Sequence, residues 1–265
     1  MVLRPIDELQ ASVAASHRCV PAFGAVEARQ MQPSSEWWLI AQPDHAALAG
    51  DLAAAFAWGG FPKLGRDVLQ AIALHDAGWA HFDNGASERD RGDAAPKKRP
   101  VSFLEIGPVN FLRAWLQSIE RAEQSSAIGG VLVSEHFSRL ASSRLQRGGD
   151  EPRDVVRLQE FLSKEESRRQ ALGRAVTYSQ AEIRRLVDVL QFCDLLSLYL
   201  CSGPRETVEF PQQFSGETIR VSRDGDYYRS KPAIFGSGVS LGVCARRYPH
   251  LPAGLNGATI PFLLS

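Results

Sequence analysis

From residue 36 to residue 58 the chain passes from a short apolar run, EWWLIA, through Pro43 into a repeat in which His45, Leu48, Ala49, Leu52 and Phe56 share one helical face. The run reads as a strand. Proline at a first helical position and Asp44 in the first turn favour a helix from about Pro43 to Trp58, closed by Gly59 and Gly60. A second helix is predicted from Arg66 to Ala80, with Val68, Ile72, His75 and Trp79 aligned. Asp76 lies roughly 100° round that helix, among Leu69, Ile72, Ala73 and Ala80. Further helices are predicted at about 109–123, 125–146, 152–175 and 179–201. On the second of these His136 aligns with Ile128, Leu132, Val133 and Leu140. On the last, Asp194 sits among Val187, Leu190, Gln191, Leu198 and Cys201.

From Gly203 onward the period changes. The segments TVEF, ETIRV, GVSLGVCA and ATIPFLL, broken by glycine and proline, predict a small β-rich region. The expected architecture is therefore mainly α: a helical domain over residues 36–202, with a β-rich segment over 203–265 packed on it. Residues 1–35 are polar and weakly patterned and read as an N-terminal extension, partly ordered. Residues 84–108, rich in charge, glycine and proline, read as a long surface loop of the kind that serves as a lid or binding element.

Composition narrows the function classes. The 265 residues suffice for one large domain or two small ones, and 44% of them are apolar. Thirty basic residues against thirty acidic ones leave no global field for nucleic acid or an anionic membrane. No apolar run has the length of a membrane span, and the N-terminus lacks an apolar block of signal-peptide type. The four cysteines, Cys19, Cys193, Cys201 and Cys244, form no close-spaced metal pair. A cytoplasmic protein acting on a small molecule is the expectation, with a homodimer through exposed strand edges as an option.

The candidate chemistry lies on the apolar faces. An unpaired buried carboxylate costs several kcal/mol, so Asp76 and Asp194 need partners. Taken singly, each histidine reads as a core residue with a satisfied hydrogen bond, and each aspartate as one half of a pair with an arginine. Taken together, His45, His75, Asp76, His136 and Asp194 converge if the helices bundle, and helix faces meeting at a core are a common place for a metal site. Such nitrogen and oxygen ligands admit zinc, iron, manganese or magnesium. Both readings stand at this point.

The order His45, then His75-Asp76, then Asp194 resembles the HD superfamily, named for its H…HD…D metal-binding pattern on a helical scaffold; Gly78 stands where that pattern has a glycine two residues after the doublet. More closely, WWLIAQPDHAALAGDLAAAF, LQAIALHDAGWAHFD, VLVSEHF and QFCDLLSLYLC resemble a bacterial domain-of-unknown-function family, numbered 3891, over about residues 37–245. The resemblance implies an HD-type helical bundle in which His45, His75, Asp76 and Asp194 hold one divalent ion. It also implies that His136 serves a second metal, with His81 as the other histidine available.

Phosphate-ester hydrolysis is the reaction the superfamily implies most often. Trp79 stands near where its members carry a helper acid or base, so Asp83 is the substitute general base, although a helix-end aspartate reads equally as a turn residue. Lys97, Lys98 and Arg99 in the loop, and Arg139 and Arg144 after His136, are candidate phosphate partners that also read as solvated surface. Two other readings remain: an HD-type diiron oxygenase cleaving a C–C or C–P bond, which needs both His81 and His136, and a degenerate HD fold acting as a ligand-binding or structural module.

Overall fold

The computed structural model describes residues 1–6, 19–84, 88–89, 99–249 and 257–265. The elements run β1 (Val2–Pro5), β2 (Val20–Pro21), α1 (Ala22–Met31), β3 (Trp37–Ile40), α2 (Gln42–Ala54), α3 (Arg66–Leu74), α4 (Ala80–Asn84), β4 (Glu88–Arg89), β5 (Arg99–Pro100), α5 (Pro108–Ser125), α6 (Ala127–Arg147), α7 (Pro152–Leu172) and α8 (Gln180–Ser202). Five strands complete the chain: β6 (Val208–Phe214), β7 (Glu217–Asp224), β8 (Tyr227–Lys231), β9 (Val239–Tyr248) and β10 (Gly257–Leu264).

The strands overturn the expected fold class. Eight of them form one mixed, curled sheet in the order β1-β3-β9-β10-β8-β7-β6-β2. With 56% helix and 22% strand, the molecule is not a mainly α HD-type bundle carrying a small β segment. The sheet draws on both ends of the chain: β1 pairs with β3, and β3 pairs with β9, where Trp37 faces Tyr248. Each of these is a non-local antiparallel pairing. A four-residue segment such as VLRP is too short to announce itself by alternation, so only the partner strand makes it β.

Helix α8 joins the two layers. Its capping box, Ser179 with Glu182, fixes the start. Beyond Val189 almost every side chain is buried, because one face meets α2, α3 and α6 while the other lies under the sheet. Phe192 packs against Phe56, Phe61, Phe210 and Phe214, so an aromatic cluster locks α8 to the end of α2 and to β6. The N-terminal strand is tied in by Gln30, which accepts from the Leu3 N–H, donates to the Leu3 carbonyl and donates to Ser202 Oγ. A large hydrophobic core consequently runs from Val2 to Leu264, and a smaller one joins Met1, Leu3, Trp37, Leu39 and Tyr248. Among the described residues, no helix is long and apolar enough to cross a membrane.

A second difference lies in the predicted helix 66–80. It stops at Leu74; Asp76 adopts φ −115° and ψ 21°, and a tight 3-10 turn over Ala77–Trp79 follows. Packing on α5 imposes the turn. A Cβ on Gly78 would lie 2.1 Å from the Ala114 carbonyl oxygen and 2.6 Å from the Ser118 nitrogen, so only glycine permits this approach. The Gly78 N–H donates to Ser118 Oγ at 2.9 Å. The chain direction thus changes between His75 and Trp79, and the two members of the doublet are aimed independently.

Candidate metal centre

Four helices deliver the site. Helices α2 and α3 approach so closely at Gly50 that a Cβ there would stand 2.7 Å from that of Ala73, which brings His45 beside the end of α3. His75 caps α3, Asp76 follows in the break, His136 comes from the middle of α6, and Asp194 from α8. His45, His75 and His136 are buried, whereas the Asp76 and Asp194 side chains keep 12% and 16% of their surface open to solvent. The carboxylates therefore form the accessible side of the centre and the imidazoles its inner wall.

His45 Nε2 lies 2.9 Å from Asp76 Oδ2, and His75 Nε2 lies 3.9 Å from the same oxygen and 3.3 Å from Asp194 Oδ1. One donor atom each from His45, His75 and Asp194 falls within 4.8 Å of the others. His136 sits on the other side of Asp194, its Nε2 3.7 Å from Oδ2, and its Nδ1 has no partner among the described residues. The rings of His45 and His75, and of His75 and His136, meet edge to face at 5.2 and 5.5 Å.

The second layer of contacts fixes which nitrogens carry protons. His75 Nδ1 lies 2.8 Å from the Ile72 carbonyl, which only accepts, so Nδ1 is the protonated nitrogen. Ser197 Oγ donates its own proton to the Asp194 carbonyl at 2.8 Å and must accept from His45 Nδ1 at 2.9 Å. In the neutral form both imidazoles then turn an Nε2 lone pair toward carboxylate oxygens. Lone pair against lone pair is repulsive, and a cation or extra protons must intervene.

Without an ion, protons take that role. Burial alone would lower the His75 pKa, but the charges of Asp76 and Asp194 outweigh it and raise it to about 9. Burial works to raise Asp194, yet His75, His136 and His45 hold it down to about 2. Burial dominates at His136, which falls to about 4 and is neutral at pH 7. The donor set fits a divalent ion: two imidazole nitrogens already freed by their back-side contacts, two carboxylates to balance its charge, and His75 Nε2 buried without a hydrogen-bond partner.

The remaining candidates lie elsewhere. Asp83, expected as general base, is buried on another contact set: it accepts from the Gln42 N–H at 2.5 Å and pairs with the Met1 ammonium at 3.1 Å. It caps α2 and anchors the start of the chain. Arg144 is forked onto Asp150 at 2.8 and 2.6 Å and stacks on Phe111. Arg139 bonds Asp188 and Gln191, one turn along α8 from Asp194. His81 is exposed on α4, in a shallow cleft with Gln117 and Glu120. Trp79 is a core residue packed on Phe82. Lys97 and Lys98 lie outside the described residues, as do His17 and His250. Cys193 and Cys201 are buried, and burial pushes both thiols up, so neither is a ligand in waiting.

Sequence reasoning missed Ser197. It sits three residues after Asp194 in an otherwise apolar LLSLYL run, and that lone hydroxyl on a buried face was the available signal.

A family model described as "Protein of unknown function (DUF3891)" matches residues 30–249. No curated protein and no solved structure matches the chain.

Proposed function

We propose that this chain, which belongs to the DUF3891 family, is a metal-dependent phosphohydrolase acting on a small phosphate ester, with His45, His75, Asp76 and Asp194 as the ligands of one divalent ion. The ligand order is that of the HD superfamily, carried here on a fold with a large sheet rather than on an HD bundle. One observation supports the reading above the others: Ser197 and the Ile72 carbonyl hold His45 and His75 in tautomers whose Nε2 lone pairs face Asp76 and Asp194. That arrangement is suited to a cation and repulsive without a proton or an ion.

When bound, such an ion supplies Lewis acidity to a phosphoryl oxygen and acidifies a coordinated water. The protein does the rest. Asp76 and Asp194 are the two ligands whose side chains keep part of their surface open to solvent. His136 stands beside Asp194 as a neutral imidazole, in place to hold a water or an ester oxygen by hydrogen bond. Arg139, one helical turn away, is the nearby cation for a phosphoryl group. The oxygenase reading is weakened by His81, which faces solvent in a different cleft. The binding-module reading is weakened by the convergence of His45, His75 and Asp194, with Asp76 against His45 at 2.9 Å.

The test is elemental mass spectrometry of protein purified without added metal, beside Asp76→Ala, followed by a phosphatase and phosphodiesterase screen. Near-stoichiometric zinc, manganese or another divalent ion, lost in the variant, is the expected result. Two irons per chain would move the assignment to the oxygenase. Protein that is empty and takes up no metal on titration would sink the metal centre altogether.

A further inference from the structure

A cleft of about 700 Å³ opens between α6, α7 and α8, one helical turn along from the His136–Asp194 pair. Helices α6 and α8 are antiparallel there: His136 meets Asp194, and one turn on Arg139 meets Gln191 and Asp188. The arginine layer is thus stacked directly on the metal layer, roughly 5 Å away by helical geometry.

Two guanidinium groups lie at this end. Arg139 and Arg169 both flank Glu135, at 3.4 and 3.1 Å. Arg139 is further fixed by Asp188 and Gln191 at 2.6 and 3.0 Å, and Arg169 by Ser138 Oγ and Ser134 Oγ at 2.6 and 3.0 Å. All these bonds use Nε and Nη1. Among the described residues neither Nη2 has a partner, so each arginine holds a donor in reserve on a head that its neighbours immobilise. At the opposite end lie Ser142, Ser143 and Ser163, whose hydroxyls make no hydrogen bond to the described residues. From Arg139 to Ser143 is four residues, or about 6 Å along α6, the length of a chain of four to six carbons. Glu166 also lines the wall, with Gln170 donating to it at 3.5 Å; among the described residues Leu162 is the one apolar side chain there, and no aromatic ring is offered for a base to stack on.

We infer that this cleft is the substrate site and that its ligand is a small phosphorylated polyol, a sugar phosphate rather than a nucleotide. The phosphoryl group lies at the Arg139–Arg169 end, one turn of α8 from Asp194, and the hydroxylated carbons extend over the serines. This names the substrate class of the centre proposed above, and so rests on that reading.

Calorimetric titration of the full chain with inorganic phosphate, glucose 6-phosphate and adenosine monophosphate tests it. Glucose 6-phosphate should bind about tenfold tighter than phosphate, with adenosine monophosphate no better than phosphate. Arg139→Gln and Arg169→Gln should each weaken glucose 6-phosphate about tenfold. The double variant Ser142→Val, Ser163→Val, whose hydroxyls make no hydrogen bond to the described residues, should remove the advantage of the sugar and leave phosphate unchanged. Absence of binding at millimolar concentration, preference for the nucleotide, or indifference to the serine changes would each overturn the inference. Running the same titrations on Asp76→Ala separates the two proposals. Binding that survives there, in protein without metal, upholds the cleft even if the hydrolase reading fails, whereas a loaded centre with no ligand in the cleft refutes the cleft alone.

Discussion

Replacing Ser197 with alanine removes one oxygen atom and tests whether the histidines are poised for a cation. Ser197 is fully buried, accepts from His45 Nδ1 at 2.9 Å and donates to the Asp194 carbonyl at 2.8 Å. Without it, the Nδ1 proton of His45 has no acceptor, and the ring is free to place its proton on Nε2, where Asp76 would accept it at 2.9 Å. That tautomer satisfies the carboxylate and blocks the metal. Loss of such a back-side contact typically costs 10- to 100-fold in metal affinity, about 1.4 to 2.7 kcal/mol. The buried Nδ1, left without a partner, adds roughly 1 kcal/mol of lost fold stability. The assay is competition against a chromophoric chelator with zinc or manganese, read beside thermal melts of the metal-free proteins. Ser202→Ala is the control: that buried hydroxyl, on the same helix, accepts from Gln30 and touches no ligand, so it should lower the melting temperature without changing affinity. Equal metal affinity for Ser197→Ala and wild type would refute the tautomer argument, and so would an equal loss in Ser202→Ala.

Other perturbations follow from the same geometry. Gly78→Ala should destabilise the fold by about 2 kcal/mol or more and weaken metal retention, because a methyl 2.1 Å from the Ala114 carbonyl must push the turn carrying Asp76 off α5; melts and metal content check it. Asp83→Asn should lower stability by about 2 kcal/mol through the weakened contacts to the Gln42 N–H and Met1, and leave metal content intact; a loss of metal with unchanged stability would return Asp83 to the site. The pH dependence of the metal-free protein has two limbs. His75, raised from 6.5 to about 9, contributes stability that is complete below 6.5 and lost as pH rises through 9. Asp194, lowered from 3.8 to about 2, contributes stability present above 3.8 and lost as pH falls through 2. An ion needs His75 without its Nε2 proton, so the gain in melting temperature on adding metal should grow from pH 6 to pH 9; a gain that shrinks over that range contradicts His75 as a ligand.

What was legible in the sequence was local. The faces of His45, His136 and Asp194 follow from a 3.6-residue period read within single helices, and the structure keeps those helices close to their expected bounds. What escaped depends on partners far along the chain. The break after Leu74 is set by α5 against Gly78, and nothing in LQAIALHDAGW states where α5 will lie. Asp83, seven residues beyond Asp76, reads as a base from its position alone, but its partners are Met1 and the first turn of α2. The sheet escaped for the same reason: β1 is only four residues long, and β3, legible as a strand in EWWLIA, finds β9 about two hundred residues later.

A rival account keeps every distance and dispenses with the metal: His45 and His75 are both protonated and simply pair with Asp76 and Asp194. Its net charge is the same, two protons standing where one divalent ion would. Geometry separates the accounts. A buried protonated imidazole needs an aligned acceptor, and His45 has one at 2.9 Å. His75 does not: its Nε2 stands 3.9 and 3.3 Å from the carboxylates and makes no hydrogen bond. A proton there is held mainly by charge, with only the long 3.3 Å approach to Asp194 beside it, in a core where an unmade hydrogen bond costs roughly 1–3 kcal/mol. An ion has no such directional demand on a single bond, since it draws donors from several sides at once, and the His45, His75 and Asp194 atoms within 4.8 Å of one another need only small side-chain torsions to share it. Evolution of a purely structural pair would have little reason to leave His75 between two acceptors and aligned with neither. A ligand set would have that reason, because the nitrogen that carries the lone pair would be the atom that binds the ion.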